Sequence, residues 1–154
     1  WLIGGFVVQI IVAIIELKEG NTVGGNVFLF FSAFFMLVSG LEMLMKWWCI
    51  QHNIAFDARL DGWAWMTLAI SLILWTPGYM AGPLSMCLAV FALDPAVLIV
   101  ALKDLGVLSA SWGPAAGVLL LIGGIFGLYT AAAIVLNTRF GKTVLPMGPP
   151  LIKG

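Results

Sequence analysis

Long uncharged apolar runs alternate along the chain with short polar islands, and the islands mark where helices end. Residues 1–15 carry no charge and stop at Glu16, Lys18 and Glu19. The next uncharged run is 20–41, and a membrane span that overlaps it is predicted over 27–45. Lys46, Trp47 and Trp48 follow, a basic residue beside an aromatic belt of the kind found at membrane interfaces. Residues 51–61 are the longest internal polar stretch and predict a loop. From Gly62 to Leu93 the chain is uncharged for 32 residues. That is too long for one ordinary crossing, which takes about 20 apolar residues. Pro77, Gly78, Gly82 and Pro83 interrupt the run and predict a tight hairpin, because they do not readily continue a helix. Two spans follow, over 61–78 and 83–102. A last apolar run predicts a span over 112–136, and residues 137–154, with three prolines, read as a short extended tail. The pattern as a whole predicts an all-α polytopic membrane helix bundle, one domain with five transmembrane helices.

Composition sharpens this by exclusion. The chain has 154 residues, 62% hydrophobic and 9% charged, with seven Lys/Arg against seven Asp/Glu. Its mean hydropathy is +1.12. A soluble domain carries about 25% charged residues, so the chain lacks the charge to coat a soluble surface. A soluble enzyme, a disordered tail and a basic nucleic-acid binder are excluded. The expected setting is a lipid bilayer, in the cell (inner or plasma) membrane. Lys18, Arg139, Lys142 and Lys153 fall on one face of the five-span topology and Lys46, Arg59 and Lys103 on the other. That small excess puts the C-terminus in the cytoplasm. The first run is short for a span, which predicts that the protein extends upstream of Trp1.

Few residues suggest chemistry. Cys49 and Cys87 form no metal or redox spacing, and His52 is a lone histidine in the polar loop. No nucleophile constellation, phosphate loop, metal site or cofactor signature occurs, so an enzyme is not expected. Gly113, Gly117, Gly123 and Gly127 make small-xxx-small pairs, which predict close helix packing. Phe28, Phe31 and Phe35 share one helical face and Phe30 and Phe34 another, for packing and lipid contact or for an aromatic constriction. Gln9, inside the first span, bonds a neighbouring helix or lines a polar path. Asp94 is the hardest to explain without function. A carboxylate at membrane depth is costly and marks a functional site by default, here a candidate for proton coupling. Leu-Asp-Pro at 93–95 also reads as a helix start, with Asp94 as N-cap and the span broken or kinked there.

Two stretches carry a specific resemblance. Glu16-Leu17-Lys18-Glu19-Gly20-Asn21-Thr22-Val23-Gly24 resembles the E-x-K-x-G-N-T-F-G signature of the acetate/succinate transporter family. Asn137-Thr138-Arg139-Phe140-Gly141-Lys142-Thr143-Val144-Leu145-Pro146-Met147-Gly148 is similar to that family's C-terminal N-x-x-F-G-R-T-V-L-P-x-G. The resemblance implies a six-helix subunit with both termini cytoplasmic, assembled as a homo-hexamer with a pore through each subunit. It implies acetate, succinate and related small carboxylates as substrates, linked to protons. The first run aligns with the family's second helix. The helix that opens with N-P-A-P-L-G-L, and that contributes a Phe to the pore's constriction, has no counterpart here.

The family's constriction also uses a Tyr and a Leu, which fall on Phe31 and Leu93. Gln9, Asn21 and Thr22 match family positions and are candidates to bind the anion. Glu16, Gly20, Gly24, Asn137, Phe140, Gly141 and Pro146 complete the motif matches. Where Asp94 stands the family has Thr, and it has no proline at the next position. Two other functions compete: a pore for ammonia, water or a neutral acid, and a non-transporting scaffold subunit.

Overall fold

A computed structural model describes residues 1–152 of the chain. Lys153, counted above with the tail, lies outside the described residues. The described residues form five helical rods. Helix α1 covers residues 2–18, π-helical over Leu2–Val7 and α-helical over Val8–Lys18. Helix α2 is Thr22–Gln51, with a π-helical stretch at Phe31–Leu37. Helix α3 is Arg59–Met80, α4 is Leu84–Asp104, and α5 is Gly113–Phe140 after a 3₁₀ turn at Ala110–Trp112. Three of them, α2, α4 and α5 with its leading turn, are long and apolar enough to cross a membrane. The chain is an all-α membrane helix bundle.

Interior and surface divide as expected where lipid is the solvent. Small side chains fill the contacts of α4, with Ser85, Cys87, Ala89, Ala92, Ala96 and Ala101 buried. Large apolar side chains point outward, among them Val118, Leu121, Ile125, Leu128 and Val135 of α5. Without a hydrophobic drive between helices in lipid, close approach of small residues is what holds such a bundle. Helix α4 lies between α3 and α5 and packs extensively on both. Val27, Trp65, Leu68, Ala69, Leu72, Val97 and Ala101 form the core where α2, α3 and α4 meet. The π-helical stretches of α1 and α2 lie against each other. Ser32 there donates to the Phe6 carbonyl at 3.3 Å.

Several boundaries differ from the expected ones. Pro77 and Gly78 do not turn the chain. Helix α3 runs through them to Met80, and the connection is only residues 81–83. Helix α4 likewise runs unbroken through Asp94 and Pro95, so Asp94 caps nothing. A proline costs a helix one backbone bond, and in lipid the helix continues and carries that defect, because breaking would expose more backbone. Helix α2 starts earlier than predicted because the Asn21 side chain caps it, accepting from Gly24 N at 3.1 Å. Helix α5 extends to Phe140 and ends at Gly141, whose φ of 61° is left-handed. Of the four glycines expected to allow close packing within one subunit or between subunits, Gly123 is pressed within this one. A Cβ on Gly113, Gly117 or Gly127 would meet nothing within 4 Å.

The connections are tied down. Arg59 pairs with Asp57 in the loop before α3 and holds that carboxyl down at a pKa of about 2. His52 stacks on Trp48 and its Nδ1 lies 2.9 Å from the Trp48 carbonyl.

Candidate functional site

The candidate site starts at the turn between α1 and α2. Gly20, at φ 85°, lets the chain reverse after Leu17. The Asn21 backbone N–H then donates to the Glu16 carbonyl at 2.9 Å, and its side-chain amide donates to the Glu16 carboxylate. Gly24 closes the unit. A Cβ there would lie 2.7 Å from Asn21 Nδ2 and 3.0 Å from Glu16 Oε2. Glu16, Gly20, Asn21 and Gly24 of the first motif therefore make one compact turn.

That turn forms one end of a cavity of about 800 Å³, to which all five helices contribute. Its lining is largely apolar. Gln9 and Glu16 come from α1, Phe28 and Phe31 from α2, Tyr79 from α3, Leu93 from α4, and Gly123 and Thr130 from α5. The turn residues Gly82 and Pro83 also line it. Gln9 carries a buried Oε1 with no hydrogen-bond partner. Thr130 is satisfied, bonding the Phe126 carbonyl and Ser85 Oγ at 2.8 Å each.

Phe31 is held by an aromatic stack. Its ring is 5.8 Å from Phe35, which lies 5.0 Å from Trp65 and 5.1 Å from Trp1, the pairs being edge-on or tilted. Such pairs prefer these geometries. Leu93 also lines the wall, seated on Gly123, where a Cβ would come within 2.8 Å of Leu93 Cγ.

Gln9, Asn21, Phe31 and Leu93 thus lie around one space. Thr22 lies outside its wall, exposed, with its carbonyl accepting from Asn26 Nδ2 at 2.7 Å. Asp94 is also outside the wall, and its Oδ2 accepts from Thr76 Oγ1 at 2.6 Å. Asn137 and Pro146 organise the tail, and Phe140 is exposed. Tyr79 and Thr130 were not anticipated as lining residues. Reading a hairpin at Pro77 hid Tyr79, and nothing in the apolar run around Thr130 distinguishes it. Among the described residues no three His, Cys, Asp or Glu side chains are grouped to hold a metal.

No protein-family model and no curated protein matches the chain. Among solved structures, the bacterial acetate channel SatP is similar, with a TM-score of 0.78 and 26% identity. The similarity covers 92% of this chain and 76% of that one. It joins the two sequence motifs in supporting a relationship of this helix bundle to the acetate transporter family.

Proposed function

We propose that the chain is a membrane channel or transporter for acetate and related small carboxylates, including succinate, with the cavity of each subunit as its path. The observation that carries this is the joining of Phe31 and Leu93 to Gln9 and Asn21 around one space of about 800 Å³. The likeness to an acetate channel supports it. A small carboxylate sheds water to pass between apolar side chains, and such constrictions gate by excluding water. Neutral donors compensate the anion without trapping it, which a fixed cation would do. The Gln9 amide is one such donor, and the Tyr79 hydroxyl is another. Glu16 is a fixed negative charge at the same end. Its engagement by Asn21 lessens its repulsion of an arriving anion.

Proton linkage is assigned to Asp94. Thr76 faces it from α3, and the other titratable group in that half of α3 is Tyr79. Helix α5 carries no charged residue before Arg139. The subunits form a homo-hexamer with the C-terminus cytoplasmic. The open face of α5 at Gly113, Gly117 and Gly124 suits contact between subunits.

Labelled-acetate uptake into proteoliposomes tests the reading. Leu93→Ala and Phe31→Ala should raise uptake of longer acids relative to acetate. Unchanged ratios would remove both residues from the path. Swelling in neutral solutes without acetate uptake would assign a different cargo. Uptake should rise as external pH falls, and Asp94→Asn should flatten that rise. A profile parallel to the parent's would take Asp94 out of coupling.

A further inference from the structure

Asp94 touches the cavity wall only through its neighbours, and they lie on three helices. Next to it on α4, Leu93 lines the cavity and seats on Gly123 of α5. Across from it on α3, the Thr76 hydroxyl is shared between Asp94 Oδ2 at 2.6 Å and the Leu72 carbonyl of its own helix at 2.9 Å. Gly78 and Tyr79, just beyond Thr76, line the same cavity. Asp94 Oδ1 is buried without a partner, so Thr76 supplies the one hydrogen bond the carboxyl makes.

A proline directly follows each member of the pair, Pro77 after Thr76 and Pro95 after Asp94. Neither proline has an N–H, so the carbonyls of Ile73 and Phe91 lose their helical partners. Both helices are therefore weakened at the level where the side-chain bond joins them. Helix α4 packs on both neighbours along its length, and at this level it adds two specific contacts, Asp94 on Thr76 toward α3 and Leu93 on Gly123 toward α5. With the first contact gone, backbone short of one bond and non-directional packing of small side chains are left to resist rotation of Leu93 off Gly123.

We propose that the Thr76–Asp94 hydrogen bond is a clamp that positions Leu93. It fixes α3 and α4 at their paired proline weak points and thereby sets the width of the cavity beside Gly123. Asp94 and Thr76 act through Leu93 and are positioning residues. The consequence for transport rests on the carboxylate path proposed above. The geometric consequence does not.

The test uses Leu93→Cys in a chain also carrying Cys49→Ala and Cys87→Ala, labelled by a small charged thiol reagent. Thr76→Val keeps the shape of the side chain and removes the hydroxyl. It should change the labelling rate at position 93 several-fold, whereas Thr76→Ser and Asp94→Asn, which keep a donor and an acceptor, should leave it near the parent's. Asp94→Leu breaks the clamp from the other side and should match Thr76→Val, so one misfolded variant does not decide the matter. In chains with native Leu93, the uptake ratio of a longer acid to acetate should rise several-fold for Thr76→Val and be restored by Thr76→Ser. Equal labelling rates across variants that melt alike would overturn the clamp. An absence of acetate uptake by the parent chain would overturn the carboxylate reading, and the labelling comparison would still decide the clamp.

Discussion

The Glu16–Asn21–Gly24 turn shows what one atom decides. Its two side chains meet over a glycine because there is no Cβ to separate them. Gly24→Ala places a carbon 2.7 Å from Asn21 Nδ2, and the side-chain ends it meets are held by the Glu16–Asn21 bond and the Asn21 cap. Overpacking of this kind costs about 1–3 kcal/mol. Asn21→Ala removes the cap of α2 and costs about 0.5–2 kcal/mol. Asn21→Ser retains a capping oxygen and should cost less. Melting of the purified protein in detergent measures all three, and a Gly24→Ala chain as stable as the parent would refute the crowding argument. This turn was legible in the sequence, because its partners lie within nine residues of one another and their spacing is the motif. The Thr76–Asp94 bond was not, because its partners are 18 residues apart on different helices. Only the anomaly of a carboxylate at that depth pointed to it.

At the scale of helices, uncharged runs located the apolar rods, and breaker residues misled about where they end. Pro77, Gly78 and Pro95 break helices in water, where a freed carbonyl finds solvent and the chain has other conformations to adopt. In lipid those alternatives expose more backbone, so the helix continues and carries the defect. Pro95→Ala restores the bond to the Phe91 carbonyl. It should leave the fold unchanged and stabilise α4 by about 1 kcal/mol, the net worth of one hydrogen bond. Hydrogen exchange at amides 94 and 96–99 should slow by several-fold, and unchanged exchange would show that α4 is not weakened at that point. The π-helical stretch at Phe31–Leu37 left no trace in the pattern of phenylalanines. It follows from packing against the π-helical start of α1, where Gly5 faces Met36 and Leu2 faces Gly40.

For the molecule as a whole, the second motif explains how one end of the cavity is held. Asn137 Nδ2 donates to the Leu145 carbonyl at 2.9 Å, and its Oδ1 accepts from Val144 N at 2.6 Å and Leu145 N at 3.0 Å. The chain thus folds back after Gly141. Tyr129 then donates to the Pro146 carbonyl at 2.8 Å, and the Met147 carbonyl accepts from Ser85 N at 2.9 Å. Farther on, Leu151 N donates to the Met80 carbonyl at 2.9 Å. The tail therefore satisfies an end carbonyl of α3 and a first-turn amide of α4, groups that a helix terminus leaves open. It also braces the turn whose Gly82 and Pro83 line the cavity. Asn137→Ala leaves two amides and a carbonyl of the fold-back without partners. If the tail then closes about 1.4 kcal/mol less favourably, its open population rises about tenfold. Trypsin cleavage after Lys142 should accelerate by about that factor, because cleavage of a rapidly opening segment follows its open population. Acetate uptake should fall with it, since the α3–α4 turn loses the tail's bonds to Met80 and Ser85 and keeps its local ones, Gly82 N to the Tyr79 carbonyl and Met86 N and Cys87 N to the Pro83 carbonyl. Cleavage at the parent rate would mean that Asn137 does not hold the tail. Faster cleavage with unchanged uptake would separate the tail from the path.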